Sequence, residues 1–146
     1  MKIHLLVLIL FLTSCFNFTK KKELQNPKKI ISLEKTACFG RCPVFKIIIY
    51  NNGVCLYNGM KFVKKSGEYN LKINKREIDE ILSQAKEIGF DNLKNEYSES
   101  ITDLPTTYIM INNKKIKDYY GAPTELKDLE KLIEKIILDK LKTPSF

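Results

Sequence analysis

Cysteines are the residues of this 146-residue chain with the most distinctive chemistry, and three of the four lie beyond the first 15 positions. Cys38 and Cys42 are separated by three residues. An extended chain would hold their Cα atoms about 13 Å apart, whereas a disulfide requires them within about 7 Å. A bridge therefore needs a turn, which Gly40 permits. Cys55 lies in an apolar segment, which predicts a small buried thiol.

Three kinds of chemistry are open to Cys38 and Cys42. A structural disulfide would lock the loop locally, since so small a ring restrains little of the unfolded chain. A redox dithiol would cycle instead. The Cys-x-x-x-Cys-Pro spacing resembles that of copper-chaperone relatives of thioredoxin, but those proteins place a helix after the second cysteine, whereas here Pro43 leads into a strand pattern. A zinc site would lack a complete set of ligands even with Cys55. We favour the structural disulfide.

A near absence of histidine excludes whole classes of mechanism. His4 is the one histidine of the chain, and it lies in an N-terminal segment that we expect to be removed. Without an imidazole, Ser-His-Asp and Cys-His catalysis, histidine metal sites and histidine pH switches have no base or ligand. We therefore predict a protein that is not an enzyme, with no catalytic residue, no metal and no cofactor.

An acidic stretch contains Glu96, Glu99 and Asp103. It lacks the D-x-D-x-D-G spacing of an EF-hand calcium loop, and no tryptophan offers a sugar platform for a pair of hydrolytic carboxylates. We interpret it as a solvated loop, in which Asp103 closes a turn before Leu104.

The chain is basic, with 25 Lys and Arg against 17 Asp and Glu, a net charge of +8. The positive charges are mostly lysines scattered through loops, and Arg41 and Arg76 are the arginines. An exported protein meets anionic lipid and glycan rather than DNA, so we predict no nucleic-acid partner.

The N-terminus has the organisation of an export signal. Lys2 supplies a positive charge, and residues 5–12 are an apolar run too short to cross a bilayer. Leu12-Thr13-Ser14-Cys15 follows and resembles the bacterial lipobox, in which the cysteine is acylated and becomes the new N-terminus. We predict a signal peptide over residues 1–14, lipidation with palmitate-type chains at Cys15, and a flexible basic tether over 15–29.

The residues after Cys15 indicate a location. Phe16 stands where an aspartate would resemble an inner-membrane retention signal, and no acidic run resembling a surface-export signal follows. We therefore expect a protein of the bacterial cell envelope, anchored by lipid in the outer membrane and facing the periplasm. The oligomeric state is left open.

The remaining sequence predicts a single α+β domain over residues 30–141, followed by a tail over 142–146. Alternating or β-branched segments predict strands over 30–36, 44–50, 54–57, 106–111 and 116–120, and a further strand over 61–71 that is interrupted near Ser66-Gly67. Turns are expected at residues 51–53, at Asn58-Gly59 and at Asn112-Asn113. Residues 90–104 are expected to form a polar loop.

Two amphipathic helices complete the domain. Asn74 and Glu77 have the spacing of a capping box, and Gly89 is a natural helix stop. The apolar face of this helix comprises Ile78, Ile81, Leu82, Ala85 and Ile88. Pro123 suits the first position of a second helix, whose predicted buried face comprises Leu126, Leu129, Leu132, Ile133, Ile136 and Ile137. The order β-β-β-β-α-β-β-α predicts a mainly antiparallel sheet of about six strands with both helices on one face.

A set of spaced motifs resembles a known family. The set comprises Cys38-Phe39-Gly40-x-Cys42-Pro43-x-Phe45, Gly53 in a hairpin turn, Tyr57-x-Gly59 and Asp103-x-Pro105. It is similar to a family of envelope lipoproteins, a domain of unknown function that opens with C-[FY]-G-x-C-P-x-[FY]. The resemblance runs from about Ile30 to Ile137. It implies a small lipid-tethered α+β domain and supplies no catalytic residue.

These observations together predict a lipid-anchored, non-enzymatic binding or accessory domain of the envelope. Its expected partners are the membrane, through the N-terminal lipid, and an envelope protein. The alternative is a thiol-disulfide redox or stress protein that uses Cys38 and Cys42.

Overall fold

The structure, a computed structural model, describes residues 26–99 and 103–142. Within these residues, seven strands form one sheet in the order β4-β3-β2-β1-β6-β7-β5, antiparallel except for the β5–β7 pair. The strands are β1 (Lys29–Lys35), β2 (Val44–Tyr50), β3 (Val54–Lys61), β4 (Gly67–Lys72), β5 (Glu96–Tyr97), β6 (Thr107–Ile111) and β7 (Lys114–Asp118). The helices are α1 (Lys75–Glu87), a 3-10 helix (Phe90–Asn92) and α2 (Thr124–Lys142).

The core lies between one face of the sheet and the two α-helices. Side chains alternate along the strands, so that Ile31 and Leu33 of β1 are buried while Ser32 and Glu34 point to the other face. Ile81 of α1 and Ile133 of α2 are fully buried in the same apolar cluster. This arrangement confirms the predicted α+β fold with a mainly antiparallel sheet.

Helix α1 begins and ends where the sequence predicts. Glu77 N donates to Asn74 Oδ1 at 2.9 Å, and Asn74 N donates to Glu77 Oε2 at 3.0 Å, which completes the capping box. Gly89 follows the C-cap residue Ile88 with φ of 65°, a left-handed conformation that glycine adopts without steric cost.

The turn predicted at Asn58-Gly59 is wrong, because both residues lie inside β3. Residues 62–66 make the turn instead, and β4 starts only at Gly67. Gly59 is required by close packing: a Cβ there would lie 2.1 Å from the carbonyl oxygen of Lys65. Tyr57 Oη donates to that same carbonyl at 3.2 Å, so the turn folds back over β3.

Other elements also differ from the prediction. The expected loop over residues 90–104 contains the 3-10 helix and the two-residue β5, which makes seven strands rather than six. Strand β7 spans Lys114–Asp118 instead of 116–120. Pro123 precedes α2 rather than opening it, and its carbonyl accepts hydrogen bonds from Leu126 N and Lys127 N at 3.1 and 3.3 Å.

The predicted signal peptide, Cys15 and most of the predicted tether lie outside the described residues, as do residues 143–146. The described end of the tether is held by the domain. Lys28 N donates to Asn51 Oδ1 at 3.0 Å, and Asn51 N donates to the Lys28 carbonyl at 2.9 Å. The sheet pairings and the apolar core of the described residues lie within residues 29–142, so we expect this stretch to fold on its own. In the described part of the chain, neither helix has the length and apolarity needed to cross a bilayer.

Candidate functional site

A row of polar side chains crosses the helix-covered face at one end of the sheet. Lys35 ends β1 and pairs with Thr107, which in turn pairs with Asp118 at the end of β7. Because Lys35 and Asp118 share the side-chain alternation of Leu33 and Ile116, they point toward α2 rather than to the open face. Thr107 and Asp118 are buried.

Helix α2 carries charged side chains that face this row of polar residues. Lys127, Glu130 and Glu134 recur at intervals of three and four residues, so they project from one side of the helix. Lys127 forms an ion pair with Asp118, and Lys35 forms one with Glu134. These ion pairs connect α2 to β7 and β1 at the end of the sheet where the facing side chains are charged instead of apolar.

An open cleft of about 500 Å³ lies over this row. Its walls come from the loop after β1, the segment before β6, the segment after β7 and α2. The lining residues are Lys35, Cys42, Pro43, Leu104, Pro105, Thr107, Tyr119, Tyr120, Gly121, Lys127, Glu130, Lys131 and Glu134. The cleft thus combines proline and tyrosine walls with ionisable groups.

Glu130 and Asp118 form a pair of buried carboxyl groups beneath the cleft. Their residues are 4% and 1% exposed, and Glu130 Oε1 and Asp118 Oδ1 are buried atoms that no described donor meets. Burial, and after it the charge of Asp118, raises the pKa of Glu130 to about 8. The hydrogen bond between the two side chains contributes to this rise, which favours the protonated form of Glu130 at neutral pH.

The cysteine loop forms one wall of the cleft. Cys38 and Cys42 are joined by a disulfide with their Cα atoms 5.7 Å apart, and Gly40 N donates to Cys38 Sγ at 3.2 Å. Because Cys42 and Pro43 line the cleft, the bridge fixes the position of this wall. Cys55 is a free buried thiol of β3, and burial raises its pKa to about 12, so it stays protonated.

A family model described as a domain of unknown function, DUF6438, matches residues 29–137. The chain belongs to this family. No curated protein and no solved structure matches the chain. The DUF6438 match confirms the resemblance to a family of unknown function. It includes the disulfide loop and the charged residues of the cleft, and it begins after Cys15, so lipid attachment stays a prediction.

The acidic stretch of this DUF6438 domain does not enter the cleft lining. Glu96 lies in β5 and accepts hydrogen bonds from Lys117 Nζ at 2.8 Å and Ser98 Oγ at 2.9 Å, and the bond from Lys117 is the main cause of its lowered pKa. Glu99 and Asp103 are exposed, and Asp103 has φ of 73°. Across residues 26–99 and 103–142, no group of three His, Cys, Asp or Glu is placed to hold a metal ion.

Sequence reasoning missed Asp118 and Glu130, although each carries a signal. Asp118 lies two residues after Ile116 in a strand, so it shares the core-facing side. Glu130 lies four residues after Leu126 and three before Ile133, within the apolar stripe of α2. A charged residue at a core-facing position is the signal by which the sequence could have indicated both residues.

Proposed function

We propose that the mature protein is a lipid-anchored, non-enzymatic binding domain of the bacterial envelope, whose ligand enters the cleft above Glu130. The observation that carries this proposal is a buried carboxyl group, that of Glu130, in the lining of an open cleft, where burial raises its pKa. Burying two carboxyl groups lowers the stability of the fold, and a hydrophobic residue at position 130 would avoid this loss. The presence of Glu130 at this position therefore supports a role in binding.

The chemistry of Glu130 indicates the kind of group it would bind. Glu130 lines the cleft, its carboxyl oxygens accept hydrogen bonds, and its proton can be exchanged for a positively charged donor. An amine or guanidinium group fits both properties. Tyr119, Tyr120 and Pro105 would contact the apolar part of such a ligand.

Binding in the cleft is tested by adding small cationic compounds to the domain that comprises residues 26–146. We expect L-arginine, L-lysine or cadaverine to raise the melting temperature at pH 7, because a ligand that binds only the folded state stabilises it. Glu130→Gln should remove the effect, while Glu125→Gln, an exposed site on the same helix, should retain it. Equal shifts in wild type and Glu130→Gln, or no shift with any of the three compounds, would contradict the proposed site.

Anchoring is supported by the order of basic residue, apolar run and lipobox-like segment that ends at Cys15. Two or three acyl chains provide stable attachment, which suits a domain joined to its lipid by a basic tether. The test is detergent phase partition of the full chain expressed in a bacterium. Wild type should enter the detergent phase and carry labelled palmitate, and Cys15→Ser should carry none. Acylation of the Cys15→Ser variant would contradict the anchoring proposal, and so would a wild-type chain that carries no labelled palmitate.

A redox function is the second candidate, and the disulfide loop favours it. Cys38 and Cys42 are only partly buried, and the Gly40 N–H would stabilise a Cys38 thiolate after reduction. Counting free thiols by intact mass after alkylation distinguishes the two functions. One free thiol and a bridge resistant to thioredoxin support the binding domain, whereas rapid cycling of the bridge supports redox activity.

A further inference from the structure

The disulfide loop and the β3–β4 turn lie side by side at one end of the sheet. Lys61 at the end of β3 pairs with Val44 at the start of β2, directly after the disulfide loop. The guanidinium carbon of Arg41 lies 5.6 Å from the centre of the Phe62 ring, which joins the two segments by a cation–π contact. We refer to residues 38–42 and 60–65 together as the aromatic end.

Large apolar side chains of the aromatic end are turned to solvent. Phe39 is 89% exposed at the tip of the disulfide loop, Phe62 is 54% exposed and Met60 is 46% exposed. An apolar cleft of about 390 Å³ continues this surface, with Phe62 and Leu138 in its lining. Exposed aromatic rings next to an apolar cleft are typical of a surface that binds a membrane or another protein.

Phe62 has a backbone conformation that is rare for a bulky residue. Its φ of 54° lies in the left-handed region, which a bulky residue rarely adopts. The turn around it is fixed, since Tyr57 Oη donates to the Lys65 carbonyl and Tyr69 Oη donates to the Ser66 carbonyl, each at 3.2 Å. An unfavourable conformation that exposes an apolar ring is consistent with a function for that exposure.

The charged residues of the aromatic end are all basic. Arg41, Lys61, Lys64 and Lys65 are all exposed, and none of the four forms an ion pair within the described part of the chain. By contrast, Lys35 and Lys127 nearby are each neutralised by a carboxylate. Exposed aromatic rings surrounded by unpaired cations match the interface of a bilayer that contains anionic lipid.

We propose that the aromatic end is a membrane-docking surface that inserts Phe39 and Phe62 among the headgroups of anionic phospholipids. The proposed lipid anchor is compatible with this contact. Residue 29 enters β1 at the far end of the sheet, and a seven-residue strand is about 23 Å long. The 14 residues from Cys15 to Lys28 can extend about 46 Å, so the tether allows the domain to turn its aromatic end to the bilayer.

The test is co-sedimentation of the residue 26–146 domain with vesicles of phosphatidylcholine alone or mixed with phosphatidylglycerol. We expect binding to the mixed vesicles that is at least tenfold stronger than to phosphatidylcholine and that weakens with added salt. Phe39→Ser with Phe62→Asn should reduce that affinity at least tenfold. Lys64→Gln with Lys65→Gln should reduce it and lessen its salt dependence.

The matched control is Val54→Ser with Leu56→Ser, which removes exposed apolar side chains from the open face of the sheet. This control should bind like wild type, and circular dichroism should show that all variants remain folded. No binding to the anionic vesicles, equal binding to both vesicle types, or wild-type affinity in the double phenylalanine variant would overturn the proposal. The domain tested lacks Cys15, so its result is independent of lipidation.

Discussion

Glu130 stands out among the individual residues because its protonation couples the cleft to the stability of the fold. Its pKa rises from 4.5 to about 8 on folding, mainly through burial. Between these values the native state holds a proton that the unfolded state has released. The resulting contribution to stability is complete below about pH 4.5 and is lost as the pH rises through about 8.

We therefore expect the free energy of unfolding of the wild-type domain to fall as the pH is raised from 5 toward 9. One group can contribute at most about 1.4 kcal/mol per pH unit. Glu130→Gln keeps the shape and a hydrogen-bond donor toward Asp118 but does not titrate, so its slope should be smaller. Urea unfolding at several pH values measures this, with Glu125→Gln as the control. A slope unchanged in Glu130→Gln would show that another group is responsible.

Gly59 is a second residue whose replacement has a definite consequence. A Cβ at this position would meet the Lys65 carbonyl at 2.1 Å and Tyr57 Oη at 2.9 Å. We expect Gly59→Ala to destabilise the domain by about 1–3 kcal/mol, because the turn must move away from β3. Gly40→Ala is the control, since its Cβ would have only an ordinary contact with Cys38 Sγ at 3.8 Å. Thermal unfolding compares the two, and similar melting temperatures would contradict the steric argument.

Among the secondary-structure elements, α1 shows how local signals can define a boundary. Its start depends on two reciprocal hydrogen bonds between Asn74 and Glu77. We expect Asn74→Ala to cost about 1 kcal/mol and Asn74→Asp to cost much less, because aspartate keeps the accepting oxygen. Chemical denaturation of both variants checks this expectation. Equal losses would mean that the side-chain cap contributes little to the helix.

The sequence predicted the elements whose signals are local. Strand β2 was predicted at its observed bounds from a continuous β-branched and aromatic run, and α1 from its capping box and Gly89. Strand β5 was missed because two residues carry no detectable alternation. The turn after β3 was misplaced because Gly59 serves close packing there, and that need is visible only once Lys65 has folded over it.

The cleft escaped prediction for a different reason. Lys35, Asp118 and Glu130 come from three elements that are far apart in sequence, and only the sheet order places β1 and β7 on either side of β6. The disulfide loop was predicted because its two cysteines are only four positions apart in sequence. Its role as a wall of the cleft depends on tertiary structure, which the motif does not encode.

For the molecule as a whole, the contained core predicts that residues 26–146 fold without the N-terminal segment. We expect a single cooperative urea transition, with tyrosine fluorescence and far-ultraviolet circular dichroism giving the same midpoint, as for most single domains of this size. The chain has no tryptophan, so its seven tyrosines report on tertiary structure. Separate midpoints would show that the sheet and the helices do not form one unit.

Cys55 has a consequence for oxidative folding. In an oxidising compartment the unfolded domain carries a third thiol, Cys55, that can form mixed bridges with Cys38 or Cys42, and either bridge would pull β3 out of the core. Two features oppose this error. The four-residue separation of Cys38 and Cys42 gives them a high effective concentration for one another, and formation of the sheet then shields Cys55 from oxidants. Maturation should therefore succeed without a disulfide isomerase, provided that β3 joins the sheet before a mixed bridge forms.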